Sequence, residues 1–240
     1  MRDQLILLPG WAYGPAALQP LCEALSELAP DLDVVIEPLP ELAEAEAWLD
    51  QLDRRLPDDS WLAGWSLGGT LASQLAARRL DSCRGLVTIA SNPCFRARPQ
   101  WPEGMAPDIF DAFQEAFRLD PEETLKRFRL LCSRGGYDPR TLARQLEVSQ
   151  SESAPVVLQA GLQLLAELDG RGALHGYFGP QLHLFAGGDA LVPSTAYDAI
   201  RRWLPGVEAE LITSTSHALP LERPDDVAAT IEAFIRGKAR

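Results

Sequence analysis

One serine in the chain lies where its backbone can present it as a nucleophile. The pentapeptide Gly64-Trp65-Ser66-Leu67-Gly68 places this serine between two glycines, each two residues away. An apolar strand pattern at 60–63 precedes it and an apolar helical pattern at 69–79 follows. A sharp strand-to-helix turn crowds its neighbours, which requires glycines on both sides, and it lifts the hydroxyl clear of the sheet. We therefore predict that Ser66 is a nucleophile and that the Leu67 N–H, at the start of the helix, stabilises an oxyanion.

A serine hydroxyl needs a base to take its proton, and that base is usually histidine. The chain has three histidines. His183 lies inside a strand pattern, where we expect burial, and His175 lies in a glycine-rich segment, where we expect a surface loop. His217 follows the last strand pattern and precedes a final helix, so a parallel sheet would bring it to the edge that carries the serine. We therefore expect His217 to be the base.

The base in turn needs an acid that fixes its tautomer and stabilises its charged form. Asp189 follows a strand pattern through two glycines. The chain order Ser66, Asp189, His217 is the order found where the nucleophile lies on a strand-to-helix turn. The residues leave Asp169, at the end of a helical pattern, as an alternative acid.

An oxyanion site normally has two N–H donors, and the second candidate follows the first strand pattern. The tripeptide Pro9-Gly10-Trp11 stands there, so we expect the Trp11 backbone N–H to act together with that of Leu67. The alternative is a plain turn followed by a tryptophan of the core.

The elements that must position these groups alternate between strands and helices, which is typical of a mostly parallel sheet covered on both faces. Strand patterns occur at 4–8, 34–36, 60–63, 86–90, 182–186 and 209–212, and helical ones at 18–28, 43–56, 69–79 and 225–235. From 96 to 168 we find only helical patterns, one of them opened by Asp120-Pro121. The sequence therefore predicts an α/β core from 1–95 and 175–240, with a helical insertion over 96–174.

Composition excludes several classes of protein. The 240 residues carry a net charge of −12, which disfavours non-specific binding to nucleic acid. No apolar run reaches the roughly 18 residues of a membrane helix, and the first run is shorter than a signal-peptide core, so we expect a cytoplasmic protein.

The four cysteines form no CxxC pair and no zinc-type cluster, and there is no glycine-rich nucleotide motif. We therefore expect buried free thiols, no metal and no cofactor.

These motifs, in their order along the chain, resemble the α/β-hydrolase family. More narrowly, they are similar to the carboxylesterases of biotin synthesis that hydrolyse the methyl ester of pimeloyl-acyl-carrier protein. The resemblance spans nearly the whole chain and implies an α/β-hydrolase fold. Its motifs are Leu8-Pro9-Gly10-Trp11, GWSLGG at 64–69, ASNPCF at 90–95 with Trp101-Pro102, Gly188-Asp189 with Val192-Pro193, and Ser216-His217-Ala218.

The resemblance implies roles for individual residues. Ser66, Asp189 and His217 would form a catalytic triad that needs no metal or cofactor, and the N–H groups of Trp11 and Leu67 would form the oxyanion site. The helices of 96–174 would form a lid over an acyl pocket. The residues implied to line this pocket are Phe128, Arg129, Leu130, Leu131 and Cys132. The residues implied to hold an acidic acyl carrier protein are Arg127, Arg140 and Arg144, while Glu123 stands where a further basic residue is expected.

Two features depart from the family pattern. Pro9 stands where the family usually has histidine, so the support of the Trp11 N–H is expected to differ. The first strand pattern begins almost at residue 1, so we expect a sheet shortened at its N-terminal side by about two strands. We also expect a monomer.

Charge supports an acidic partner independently. The segment 124–146 has six basic residues and one acidic residue, a net of +5, which leaves −17 on the rest of the chain. A basic face on an acidic protein steers an acidic partner to one place. The segment 76–98 is also basic, so this face is not unique. The alternative is that 124–146 is a solvated helix surface that binds no partner. The residues leave open an esterase for small free esters, an acyl-carrier thioesterase, a lyase using the same triad, and a binding module without chemistry.

Overall fold

A parallel sheet of six strands forms the centre of the protein in the computed structural model, which describes residues 3–238. Their order across the sheet is β2-β1-β3-β4-β5-β6, and all five pairings are parallel. All residues of the third and fifth strands are buried, which requires cover on both faces. The predicted α/β class with a parallel sheet and all six predicted strand positions are confirmed. The strands are β1 Asp3–Leu8, β2 Leu32–Ile36, β3 Ser60–Trp65, β4 Cys83–Ile89, β5 Gln181–Ala186 and β6 Glu208–Ile212.

Helices cover the sheet and fill the long connection between β4 and β5. Among residues 3–238 the α-helices are α1 Gln19–Leu28, α2 Ala47–Arg55, α3 Leu67–Arg79, α4 Pro107–Leu119, α5 Pro121–Ser133, α6 Pro139–Val148, α7 Pro155–Glu167, α8 Arg171–Gly176, α9 Thr195–Trp203, α10 Leu219–Glu222 and α11 Pro224–Lys238. Helix α1 packs against α11, and α3 packs against α2 and α8. The helices α4 to α7 lie within the segment 96–174 and pack chiefly on one another.

Two helices of this segment begin at an aspartate that is followed by proline. Asp120 Oδ1 accepts a hydrogen bond from the Glu123 N–H at 3.0 Å, as its position as N-cap of α5 predicts. Asp138 Oδ1 accepts from the Thr141 N–H at 3.1 Å and caps α6 in the same way. Helix α6 had no counterpart of its own among the sequence predictions.

The structure corrects several expected boundaries. His175 lies in the last turn of α8 and not in a loop, because Ala173 and Leu174 are buried against the core and hold this short helix in place. Helix α3 begins at Leu67, two residues before the predicted start at 69, because Ser66 is itself the N-cap. Helix α2 begins at Ala47 and not at 43, because a turn precedes it.

The four cysteines are free thiols, three of them buried and Cys22 half-buried. In the part of the chain from 3 to 238, the longest apolar helices fall short of what is needed to cross a membrane.

Arg79, at the end of α3, holds the C-terminal end of α2. Its guanidinium donates to Asp53 Oδ1 at 2.7 Å and to the carbonyl oxygens of Asp53, Leu56 and Pro57 at 2.6, 2.9 and 2.7 Å. The side chain is only 5% exposed, whereas that of Arg78 is 43% exposed and pairs with Asp50 alone. One arginine therefore supplies donors that the last turn of α2 lacks.

We expect Arg79→Ala to lower the free energy of unfolding by about 3 kcal/mol, because it leaves three carbonyl groups and a carboxylate without their donor. The matched control Arg78→Ala removes one exposed ion pair and should change stability by less than about 1 kcal/mol. Urea denaturation followed by circular dichroism measures both. Equal losses for the two variants would contradict this role of Arg79.

Candidate active site

Ser66 lies on a sharp turn between β3 and α3. Its φ of 55° and ψ of −119° fall in a region that residues with a Cβ rarely adopt. A Cβ on Gly64 would lie 2.2 Å from the Gly68 carbonyl carbon, and a Cβ on Gly68 would lie 2.3 Å from the Leu8 carbonyl oxygen. Both glycines are therefore required by backbone contacts, as the sequence motif predicts.

The turn is tied to the neighbouring strand on both sides of the serine. The Ser66 N–H donates to the Ile89 carbonyl at 2.9 Å. The Ser91 hydroxyl donates to the Ser66 carbonyl at 2.8 Å, and this carbonyl also accepts from the Gly69 N–H at 3.0 Å. The end of β4 thus holds the strained peptide in place, a role for Ser91 that the sequence analysis missed.

His217 and Asp189 complete a hydrogen-bonded chain that starts at Ser66. The Ser66 Oγ lies 2.9 Å from His217 Nε2, and His217 Nδ1 lies 2.8 Å from Asp189 Oδ2. The side chains of His217 and Asp189 are 1% and 0% exposed. The structure therefore brings together the three residues that the sequence singled out, from the ends of β3, β5 and β6.

Asp189 is oriented by the backbone that follows it. Its Oδ1 accepts from the N–H groups of Leu191 and Val192 at 2.8 and 2.9 Å, which leaves Oδ2 for the histidine. The Gly188 N–H donates to the Thr215 carbonyl at 2.7 Å and joins the aspartate loop to the histidine loop. Such an arrangement fixes which ring nitrogen of the histidine faces the aspartate.

The loop of His217 is anchored by a carboxylate from α10. Glu222 Oε2 accepts from the Ser216 N–H and hydroxyl at 2.8 and 2.7 Å, and Oε1 accepts from the Tyr137 N–H at 2.8 Å. The Trp65 indole N–H donates to the His217 carbonyl at 2.7 Å. Sequence reasoning missed Glu222, because a single glutamate in a short helix carries no periodic signal.

The two candidate oxyanion donors belong to backbone segments that touch. Within residues 3–238, the N–H groups of Trp11 and Leu67 donate to no other atom. The first turn of α3 approaches the loop after β1 so closely that a Cβ on Gly68 would also lie 2.5 Å from the Pro9 carbonyl oxygen. The Pro9 backbone thus contributes to this close approach.

The Trp11 side chain points away from this loop into the helices above it. Its indole N–H donates to the Leu158 carbonyl of α7 at 2.7 Å. Its ring meets Phe113, Phe117 and Phe128 edge-on, with centroids 4.8 to 5.7 Å apart. The loop after β1 is therefore fastened to the segment 96–174 as well as to the sheet.

An apolar cavity of about 50 Å³ lies beside Trp11. Phe128 and Leu131 contribute to its wall. Ser66 itself is only 5% exposed. The other lining residues, all apolar, are Phe95, Met105, Ile109, Phe110, Phe113, Leu162, Leu165 and Leu191.

The remaining residues of the predicted pocket segment lie elsewhere on α5. Arg129 donates to Glu147 and to Gln150 at 3.0 and 2.8 Å, and Leu130 is 58% exposed. Cys132 is fully buried, and its carbonyl accepts from the Ala218 N–H at 3.2 Å. None of these three is among the residues that line the apolar cavity.

The alternative site residues have other partners. Asp169 pairs with Arg171 at 2.6 Å, and this hydrogen bond holds its pKa well below the ordinary range, so the carboxylate serves a local ion pair. His183 is buried in β5 with Nδ1 2.7 Å from the Thr88 hydroxyl, and burial lowers its pKa to about 4. His175 is exposed on α8, edge-on to Trp203.

We expect Gly68→Ala to destabilise the fold by at least about 3 kcal/mol or to prevent folding, because the new methyl group meets backbone atoms that cannot rotate away. The matched control is Gly172→Ala in α8, where a Cβ would meet nothing within 4 Å and should leave stability unchanged or slightly raised. Thermal unfolding of both variants measures this. A Gly68→Ala protein as stable as the control would contradict the packing described.

Known proteins share this architecture. A family model described as the alpha/beta hydrolase family matches residues 5–230. The pimeloyl-[acyl-carrier protein] methyl ester esterase of Aromatoleum aromaticum is 36% identical over 98% of this chain and 99% of its own length. The biotin biosynthesis bifunctional protein BioHC of Cellvibrio japonicus is 34% identical over 97% of this chain, which spans 47% of that longer protein.

A solved structure supports the same assignment at the level of the fold. A hydrolase from Oleispira antarctica superposes with a TM-score of 0.85, covering 98% of this chain and 92% of its own, at 16% identity. The family model and the full-length relative show that the chain belongs to the alpha/beta hydrolase family.

Proposed function

We propose that the protein is a serine carboxylesterase that hydrolyses the methyl ester of a pimeloyl chain on acyl carrier protein in biotin synthesis, releasing methanol. The observation that carries the hydrolase assignment is the buried chain of hydrogen bonds from Ser66 through His217 to Asp189. The named activity of the Aromatoleum aromaticum esterase, which is matched over 99% of its length, supports the substrate, and the name of the Cellvibrio japonicus protein supports a place in biotin biosynthesis.

The first half of the reaction forms an acyl-enzyme. Ser66 Oγ attacks the ester carbonyl carbon while His217 Nε2 takes the hydroxyl proton, and Asp189 stabilises the imidazolium that results. The N–H groups of Trp11 and Leu67 donate to the oxyanion of the tetrahedral intermediate. When the carbon–oxygen bond of the ester breaks, methanol leaves with the proton from His217.

The second half returns the enzyme to its starting state. His217 takes a proton from water, and the resulting hydroxide attacks the acyl-enzyme carbonyl at the same oxyanion site. Collapse of this second intermediate releases the carboxylic acid, and Ser66 regains its proton from His217. Acid, base and nucleophile all come from the chain itself.

The division of the chain into core and lid is part of this proposal. Residues 1–95 and 175–240 supply the triad and the oxyanion donors, and 96–174 supplies the lid with its apolar cavity. Ser66 is 5% exposed, and we propose that the lid moves to admit the substrate. We place the enzyme in the cytoplasm, as a monomer.

The arginines of the lid support an acidic carrier as partner. Arg140 and Arg144 are exposed on α6 and form no ion pair within residues 3–238. Arg127 is also exposed but pairs with Glu123 on its own helix, at 3.2 Å. The two unpaired arginines are therefore the better candidates for contact with an acidic surface.

A general esterase for short free esters is the second candidate. The small volume of the apolar cavity, about 50 Å³ in the closed conformation, favours it. Comparing a carrier-linked ester with a free ester of the same acid distinguishes the two functions.

We expect Ser66→Ala to abolish hydrolysis of pimeloyl-acyl-carrier-protein methyl ester, a loss of at least about 10³-fold in kcat, since no nucleophile remains. Wild-type protein should cleave this ester with a much higher kcat/KM than dimethyl pimelate. Methanol release measures both reactions. Cleavage of free esters alone would exclude the carrier-linked function, and full activity of Ser66→Ala would exclude the triad.

We expect the double variant Arg140→Ala/Arg144→Ala to lower kcat/KM for the carrier-linked ester by about tenfold relative to dimethyl pimelate, with a weaker dependence on salt. The charge-matched control is Arg54→Ala/Arg78→Ala, on helices α2 and α3 of the core. Steady-state kinetics at two ionic strengths measures the effect. If both double variants lose the same activity, α6 is not the carrier surface.

A further inference from the structure

A small polar cavity lies between α3, the helix that follows Ser66, and the sheet. Its volume is about 10 Å³. Residues of α3, β4 and β5, together with the segment after β4, form much of its wall. Polar side chains in the interior are unfavourable unless each one has a hydrogen-bond partner. The polar residues of this wall, each at most 4% exposed, are Thr70, Ser73, Thr88, Ser91, Asn92 and His183.

One polar atom of this wall has no partner among residues 3–238. His183 Nδ1 lies 2.7 Å from the Thr88 hydroxyl, whereas His183 Nε2 is buried and forms no hydrogen bond. If the hydroxyl donates to Nδ1, the ring proton is on Nε2, which then needs an acceptor. If Nδ1 carries the proton and donates to the hydroxyl, Nε2 needs a donor. The ring therefore lacks one partner in either tautomer.

Hydroxyl groups of the same wall can still accept hydrogen bonds. The Ser73 hydroxyl donates to the Gly69 carbonyl and the Ser91 hydroxyl donates to the Ser66 carbonyl, each at 2.8 Å. Each hydroxyl uses its one proton in this way and keeps lone pairs for another donor. A molecule in the cavity must therefore donate to hydroxyl oxygens and pair with either tautomer of the ring. Water meets both requirements, and the cavity volume of about 10 Å³ is close to the roughly 10–15 Å³ that one water needs.

We propose that this cavity is a binding site for one water molecule, which pairs with His183 Nε2 and donates to hydroxyl groups of the wall, that of Ser91 among them. His183 is then a positioning residue for the nucleophile and acts on Ser66 through the water and Ser91. The effect on the reaction rests on the proposed esterase function, whereas the water site does not depend on it.

Ser91 is the connection between this site and the nucleophile. Its side chain lies directly against the first turn of α3, because a Cβ on Gly69 would lie 2.7 Å from Ser91 Cβ and 2.8 Å from Ser91 Oγ. Ser91 follows Ala90, whose φ of 45° lies in a region that residues with a Cβ rarely adopt. The backbone therefore accepts strain in order to present this hydroxyl to Ser66. A water that fixes the direction of the Ser91 hydroxyl acts on the Ser66 peptide through a single hydrogen bond.

A high-resolution crystal structure of the wild-type protein tests the water site. We expect one ordered water within hydrogen-bond distance of His183 Nε2 and of at least one hydroxyl of the wall. A cavity without density for a water would overturn the site. A ring orientation in which both nitrogens bond to protein atoms would overturn it as well.

Two substitutions of His183 test the effect on the reaction. The amide of His183→Gln reaches about as far as Nε2 and can pair with the water, whereas the shorter amide of His183→Asn reaches only the position of Nδ1. For dimethyl pimelate we expect His183→Asn to lower kcat by about tenfold with KM unchanged, and His183→Gln to retain kcat within about twofold. The control for the exchange is His175→Asn on the surface of α8, which should leave both constants unchanged.

A double-mutant cycle tests the path through Ser91. Ser91→Ala removes the donor to the Ser66 carbonyl and should lower kcat by about the same factor as His183→Asn. Because both substitutions act on the same carbonyl, the double variant should lose little more than either single variant. Fully additive losses would show that His183 does not act through Ser91.

The outcomes separate the parts of the inference. Equal kcat values for wild type, His183→Asn and His183→Gln, all folded by circular dichroism, would overturn the positioning role. If His183→Asn does not fold, a loss of kcat in His183→Gln as large as that in Ser91→Ala would overturn it. Failure of wild-type protein to cleave dimethyl pimelate and the carrier-linked ester removes the proposed function, and the crystal structure alone then decides the water site.

Discussion

Direct contact between backbone segments around Ser66 is the constraint on which the rest of the site depends. Gly64 lies directly against the Gly68 carbonyl in the first turn of α3. Gly68 in turn lies against the Leu8 carbonyl at the end of β1, with no side chain between the segments. Because these contacts join main-chain atoms, the positions of β1, β3 and α3 are fixed together. The same approach holds Ser66 in a strained conformation at a helix N-terminus, where the backbone N–H groups favour negative charge. The position of the proposed nucleophile and its electrostatic environment therefore arise from one packing arrangement.

The other two residues of the proposed triad are positioned by loops that are hydrogen-bonded to one another. The bond from Gly188 to Thr215 joins two of these loops, and the bond from Trp65 to His217 joins the third. Glu222 adds a second link, since its carboxylate holds both the histidine loop and the chain at Tyr137, beyond α5. The geometry of His217 thus depends on groups that lie outside the hydrogen-bonded chain of Ser66, His217 and Asp189.

Much of this arrangement could be predicted from the sequence, for identifiable reasons. The motif around Ser66, the six strands and the Asp120 cap are local signals, and each follows from backbone sterics or from periodicity. Helix α6 was not predicted as a separate helix. Ser91 and Glu222 escaped prediction because their partners Ser66 and Tyr137 lie far away in the sequence. The pocket residues implied by family resemblance formed a continuous run, 128–132. A helix presents such a run to several directions, so only Phe128 and Leu131 reach the apolar cavity.

The contact between Trp11 and α7 has a consequence for how such a protein can change in evolution or in the laboratory. The indole that donates to the Leu158 carbonyl also lies against Gly161, where a Cβ would come within 2.7 Å of Trp11 Cδ1. A helical segment transplanted from a relative would thus need a backbone carbonyl at the position of Leu158 and no side chain at the position of Gly161. Without them the tryptophan moves, and the backbone N–H beside it moves too. Exchange of acyl specificity by grafting helices is therefore limited by one residue of the core, which has to be inherited together with α7.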